Sequence, residues 1–148
     1  MKRSEINHYI AEAIAFFQER HFYLPPFAFF SKGDWAAHKE QTQEIFDLHL
    51  GWDLTSFGTD DFLNTGLLLF TLRNGLLGSS RYAKPYAEKI MIVRVGQVTP
   101  RHFHWHKRED IINRGGGDLA MEVWKADEDN RITDEPFDLS LDGIRRTF

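Results

Sequence analysis

The stretch that decides the fold runs Gly96-Gln97-Val98-Thr99-Pro100-Arg101-His102-Phe103-His104-Trp105-His106-Lys107-Arg108-Glu109, then Asp110-Ile111-Ile112-Asn113-Arg114-Gly115-Gly116-Gly117. Side chains alternate between the two faces of an extended strand, so His102, His104 and His106 point the same way and can converge on one ion. Glu109 lies an odd number of residues beyond His104 and joins them only if the chain bends after Trp105. Neutral imidazoles with one carboxylate suit a divalent first-row metal. Three protein ligands leave positions open for a substrate. The competing reading is a surface strand whose polar face happens to be rich in histidine.

On either side of this stretch the pattern is antiparallel sheet, with short apolar runs punctuated by turn signals. Leu67 to Leu72 reads as one strand, closed by the turn dipeptide Asn74-Gly75. Tyr86 or Glu88 to Val95 reads as the next, ended by Gly96, and the histidine strand follows. Glu88 and Lys89, just before that strand's apolar run, read as rim charges. Beyond the glycines, Leu119, Met121 and Val123 alternate with Ala120, Glu122 and Trp124 as a strand running to Lys125. Asp127 to Asn130 is an acidic turn. Phe137, Leu139 and Leu141 form a half-exposed strand, Asp142-Gly143 a hairpin signal, and Ile144 to Phe148 a return strand.

Upstream the period changes. Ile6, Tyr9, Ile10, Ala13, Ile14 and Phe17 recur at helical spacing with Ser4 available as N-cap, predicting an amphipathic helix of about fifteen residues. Leu24-Pro25-Pro26 ends that region, since proline cannot continue a helix, and Phe27 to Phe30 reads as an apolar docking segment. Ser31 and Asp34 have the spacing of a capping box opening a second helix, from about Asp34 to His49. Gly51 to Gly58 reads as a packed loop, with Asp53 or His49 reaching a substrate as the functional alternative.

Composition bounds the function class. The 148 residues suit one domain, with 42% hydrophobic and 27% charged residues, and thirteen Phe and four Trp provide large core pieces. A net charge of −4 and no basic stripe argue against a nucleic-acid partner. No apolar run reaches transmembrane length, so no membrane partner is expected. With no cysteine, disulfides, thiolate metal sites and Cys nucleophiles are excluded. The expected location is cytoplasmic.

The spacing Gly-x5-His-x-His-x4-Glu-x6-Gly, from Gly96 to Gly116, resembles the first signature of the cupin superfamily. The wording elsewhere is more specific. Leu-Pro-Pro-Phe-Ala at 24–28, Leu-Gly-Trp-Asp at 50–53, Leu-Phe-Thr-Leu-Arg-Asn-Gly at 69–75, Tyr-Ala-Glu-Lys-Ile-Met at 86–91 and Glu-Asp-Ile-Ile-Asn-Arg-Gly-Gly-Gly at 109–117 together resemble the D-lyxose isomerase family of cupins.

That resemblance implies a mainly β, cupin-type jelly-roll barrel, truncated, preceded by N-terminal helices. Residues 1–65 would form the helical segment packing on a partial barrel at 66–148, in one structural domain. It implies a divalent metal, usually manganese, and reversible aldose–ketose conversion of the D-lyxose to D-xylulose and D-mannose to D-fructose type by enediol proton transfer. His102, His104 and Glu109 match the first three metal ligands, and Lys107 matches a lysine that contacts the sugar. A solvated surface lysine is the bland alternative for Lys107. His106 is not asked for by the family pattern, though it is on hand as a replacement ligand.

The family's second motif, a Pro-Gly turn with a later histidine ligand and then acidic residues that handle the proton, has no counterpart before Phe148, and no histidine follows His106. The expectation is therefore the N-terminal two thirds of such an enzyme. Two alternatives stay open: a cupin module that binds metal or sugar without turnover, and another metal activity of the dioxygenase kind, since two histidines and a carboxylate also form a facial triad. Sheet edges left unpaired by an incomplete barrel favour pairing with another chain, and the family's dimers point the same way, so a homodimer is expected.

Overall fold

Tyr9, Ala13, Phe16 and Phe17 share one face at helical spacing, and that face is what the first helix, α1 (Arg3–Glu19), buries. The computed structural model describes residues 1–105 and 107–148; His106 lies outside the described residues. Helix α1 begins earlier than the Ser4 cap predicts. Lys2 is the extended N-cap, and the Glu5 carboxylate accepts a hydrogen bond from the Lys2 backbone N–H. Its C-terminus is a Schellman motif: Phe22 N–H donates to Phe17 O at 2.8 Å, His21 N–H donates to Gln18 O at 3.0 Å, and His21 takes the left-handed conformation at φ 56°. The Phe17 and Phe22 rings, 5.8 Å apart, supply the apolar contact that accompanies it.

After a single 3-10 turn (Pro26–Phe29), Ser31 and Asp34 form the expected capping box. The helix they open is short. α2 (Lys32–Ala37) gives way to turns, and α3 (Gln43–Asp47) follows, where one helix to His49 was expected. The irregular apolar face of this stretch left nothing to hold four continuous turns. Thr42, buried, bonds through its hydroxyl to His38 O at 2.9 Å instead of continuing the helix. α3 ends as α1 does, with Leu50 N–H on Ile45 O at 2.9 Å and His49 at φ 53°.

The segment expected as a packed loop is a strand, β1 (Gly51–Thr55). Trp52 and Leu54 alternate with Asp53 and Thr55, and the turn formers around them masked that short period. β1 pairs antiparallel with β2 (Leu67–Arg73), and β2 with β3 (Glu88–Ile92), in the order β1-β2-β3. Leu68 is buried in one cluster with Ala13, Phe17 and Phe62, flanked by Trp52, Leu54, Ile90 and Ile92. Phe70, fully buried, sits against Phe27 at 5.3 Å and edge-on to Trp52 at 4.9 Å. Phe70→Ala is expected to cost about 3–5 kcal/mol, read as a lowered denaturant midpoint with unchanged slope.

Asn74-Gly75 does not make the tight hairpin its sequence suggests, because residues 74–87 separate β2 from β3. Asn74 instead donates to Leu48 O at 2.9 Å, satisfying a carbonyl at the end of α3. Gly75 is required by close approach: a Cβ there would lie 1.6 Å from Lys84 O. The connection is tied to α3 by Lys84 Nζ on Glu44 at 2.8 Å and by the Tyr82 hydroxyl donating to Asp47 at 2.6 Å.

The Tyr82 hydrogen bond holds the Asp47 carboxyl below its ordinary value near 3.8 and pushes the Tyr82 phenol above its ordinary value near 10. The depressed Asp47 contributes stability above its unfolded value that is lost as pH falls through its folded one. The raised Tyr82 contributes below its unfolded value and loses that as pH rises through its folded one. In Tyr82→Phe the Asp47 carboxyl carbon, followed by NMR, is expected to titrate closer to 3.8.

The chain divides into two compact units, Met1–Phe103 and His104–Phe148. The second carries two hairpins. β4 (Lys125–Ala126) pairs with β5 (Ile132–Thr133) around the expected acidic turn, where Asp127 Oδ1 accepts from Asp129 N–H at 2.9 Å and Arg131 N–H at 2.8 Å. β6 (Asp138–Leu141) pairs with β7 (Ile144–Thr147) through Asp142-Gly143, both at positive φ, as the dipeptide predicts.

The strand expected over Leu119–Lys125 is absent apart from Lys125, and Leu119, Met121 and Val123 are exposed. Alternation alone makes no strand; a ladder partner does, and the described residues offer this segment none. The described sheets are three separate antiparallel sets, not a closed jelly roll.

Candidate functional site

The histidine segment leaves the first sheet through a turn that the sequence marks with glycine. Gly96 sits at φ 75°, Gln97 N–H donates to Arg94 O at 3.0 Å, and the buried Gln97 side chain donates to Phe62 O at 2.6 Å. Val98 N–H then donates to Asn64 O at 2.8 Å and Val98 O accepts from Gly66 N–H at 3.1 Å, a parallel bridge that fixes where the segment starts. From Thr99 to Trp105 the backbone is not a regular strand, so the alternation that aligned the histidines does not apply as drawn. Pro100 removes one ladder donor, and strand regularity needs a partner on at least one side.

His102 lies at the end of the first unit, its ring Nδ1 2.9 Å from Pro100 O. In the second unit, three of the residues singled out by sequence come together. Glu109 Oε2 lies 3.5 Å from His104 Nε2, and Glu109 Oε1 lies 2.5 Å from Lys107 Nζ. Lys107 Nζ is also 3.4 Å from His104 Nε2. With no regular strand over residues 99–105, the odd spacing between His104 and Glu109 does not set them on opposite faces.

His104, Lys107 and Glu109 are each between about a third and a half exposed, so the cluster faces solvent and is reachable by a ligand. Among the described residues no three His, Asp or Glu side chains converge as a metal cluster. His106 lies outside the described residues.

The glycine-rich turn is built as its sequence suggests. Asn113 Oδ1 accepts from Gly115 N–H at 3.1 Å, and Asn113 Nδ2 donates to Gly117 O at 2.9 Å. Gly115 and Gly116, at φ 127° and 96°, occupy backbone conformations that side chains rarely adopt.

Chemically, an imidazole nitrogen and a carboxylate oxygen directed at one point form a donor set for a divalent cation. The Lys107 ammonium lies against both of these groups. Two donors of that kind come together here, and no third joins them among the described residues.

Two curated relatives give this geometry a context. The chain is 53% identical to a D-lyxose/D-mannose isomerase of Serratia proteamaculans and 51% identical to a D-lyxose/D-mannose isomerase of Escherichia coli O157:H7, each match covering 99% of this chain. It spans 65% of the length of each relative. Among the described residues no helix is long and apolar enough to cross a membrane. The D-lyxose isomerase family model matches residues 1–148, the whole of the sequence, and the chain belongs to that family.

Proposed function

We propose that this chain takes part in aldose–ketose isomerisation of the D-lyxose to D-xylulose and D-mannose to D-fructose type, at a divalent metal, most simply Mn2+. The juxtaposition of His104, Lys107 and Glu109 carries the reading. His104 and Glu109 would hold the cation, with His102 the further ligand that the motif supplies. When bound, a divalent cation polarises the carbonyl and hydroxyl oxygens of the sugar as a Lewis acid.

Lys107, three residues from His104 and two from Glu109, would present its ammonium to the same sugar oxygens and stabilise negative charge as it develops. The half-exposed setting admits a small hydrophilic substrate. Moving the proton between C1 and C2 needs a carboxylate, and the family resemblance puts that group beyond the motif residues. The same reading includes the cupin jelly roll, with residues 1–65 as its helical flank and 66–148 contributing to the barrel. It also includes a homodimer as the working assembly and a cytoplasmic location, where the sugar is met.

The test is ketose formation from D-lyxose by the purified protein, supplied with Mn2+ and, in parallel, with EDTA. D-xylulose in the first and none in the second supports the proposal. No ketose in either, from folded protein, counts against it. Oxygen consumption with ferrous iron would instead favour a dioxygenase.

A further inference from the structure

The first unit carries an open cleft of about 590 Å³ lined by residues of α2, α3 and the first sheet. Its wall is aromatic: Trp35 and Phe46 lie with ring centroids 5.3 Å apart, and Phe46 is 56% exposed. Its floor is the end of the sheet. Thr71, 4% exposed, pairs across the ladder with Gly51 on one side and Lys89 on the other. Asp53 is two residues along β1 from Gly51, about 7 Å further and on the same face. His49 also lines the cleft, its position set by the left-handed turn that ends α3.

The side chains of His49, Asp53 and Lys89 enter no hydrogen bond or ion pair with the described residues, although all three line one concavity. Other charges of this unit are paired, Arg94 with Glu12, Lys84 with Glu44 and Arg73 with Glu88. A concave surface with an aromatic wall and a few uncommitted polar groups is the usual make-up of a small-molecule site.

The charge balance selects the ligand class. One carboxylate and one ammonium sum to zero, which suits a neutral molecule better than a phosphate or carboxylate. A carboxylate accepts from hydroxyls and an ammonium donates to them, while aromatic faces take apolar C–H surface. We propose that this cleft binds a neutral monosaccharide, with Asp53 and Lys89 holding its hydroxyls and Trp35 and Phe46 covering its C–H face. The binding needs no metal and none of the motif residues.

Saturation-transfer NMR with D-mannose as the probe, in EDTA, tests this apart from catalysis. The wild type is expected to give a saturable signal. Asp53→Asn and Lys89→Met are each expected to weaken it about tenfold or more, the effect of losing a charged hydrogen bond, and Glu109→Gln is expected to leave it unchanged. Phe46→Ala, at an exposed position that leaves the core intact, is expected to weaken it as well. Absence of signal from the wild type overturns the proposal. So does a signal indifferent to Asp53, Lys89 and Phe46, or tighter binding of mannose 6-phosphate than of mannose.

Discussion

Glu109→Gln is expected to abolish Mn2+ retention and to lower kcat/KM for D-lyxose by at least about 100-fold, since loss of even an outer partner of a metal ligand costs about 10–100-fold. The substitution keeps the size and shape of the side chain and removes its charge. In the structure the Glu109 carboxylate is in direct contact with both His104 and Lys107, at 3.5 Å and 2.5 Å. An amide in its place would leave the imidazole with a neutral oxygen beside it, a weaker set for a hard divalent cation. Unchanged thermal stability of the metal-free variant, beside lost metal, separates a ligand from a structural carboxylate. Equal metal content in variant and wild type would remove Glu109 from the ligand set.

Lys107→Met is expected to behave differently, and the contrast is the more informative result. Its ammonium lies on Glu109, 2.5 Å away, and near the His104 nitrogen, so it competes with a cation for the same two groups. Replacing it with an apolar chain of similar length should leave Mn2+ affinity equal or higher. If Lys107 then serves the sugar, kcat falls by about 10²–10³, the range for removing one electrostatic donor to developing charge. Higher metal affinity with undiminished kcat would make Lys107 a surface lysine, as the bland reading holds. Loss of metal would make it a support of the ligand geometry.

Much of the architecture was legible because it rests on local signals. The capping box at Ser31 and Asp34, the apolar face of α1, the span of β2 and the Asp142-Gly143 hairpin all follow from residue type and spacing within a few positions. The misreadings lie where a distant partner decides. Gly51–Thr55 became a strand because Leu67–Thr71 pairs with it, and Leu119–Val123, with better alternation, stayed outside any sheet. Asn74-Gly75 reads as a hairpin turn by itself, yet its roles are a bond to Leu48 and a close pass beneath Lys84. Such contacts have no signature in the immediate sequence.

The candidate site divides in the same way. His104, Lys107 and Glu109 were legible from spacing and resemblance, and the fold of the second unit brings them together. The cleft residues were half seen. His49 and Asp53 stood out as polar groups in an aromatic segment, but Lys89 read as a rim charge, and nothing in the sequence set Trp35 and Phe46 apart from packing residues. Only the pairing of β1, β2 and β3 and the position of α3 gather them around one space.

The most direct measurement is Mn2+ binding itself, followed by the electron paramagnetic resonance of free Mn2+ during titration of the purified protein. The account predicts saturable binding of one ion per chain, lost in His102→Ala, His104→Ala and Glu109→Gln and kept in His106→Ala. Absence of binding by the folded wild type, or binding that only His106→Ala removes, would contradict it.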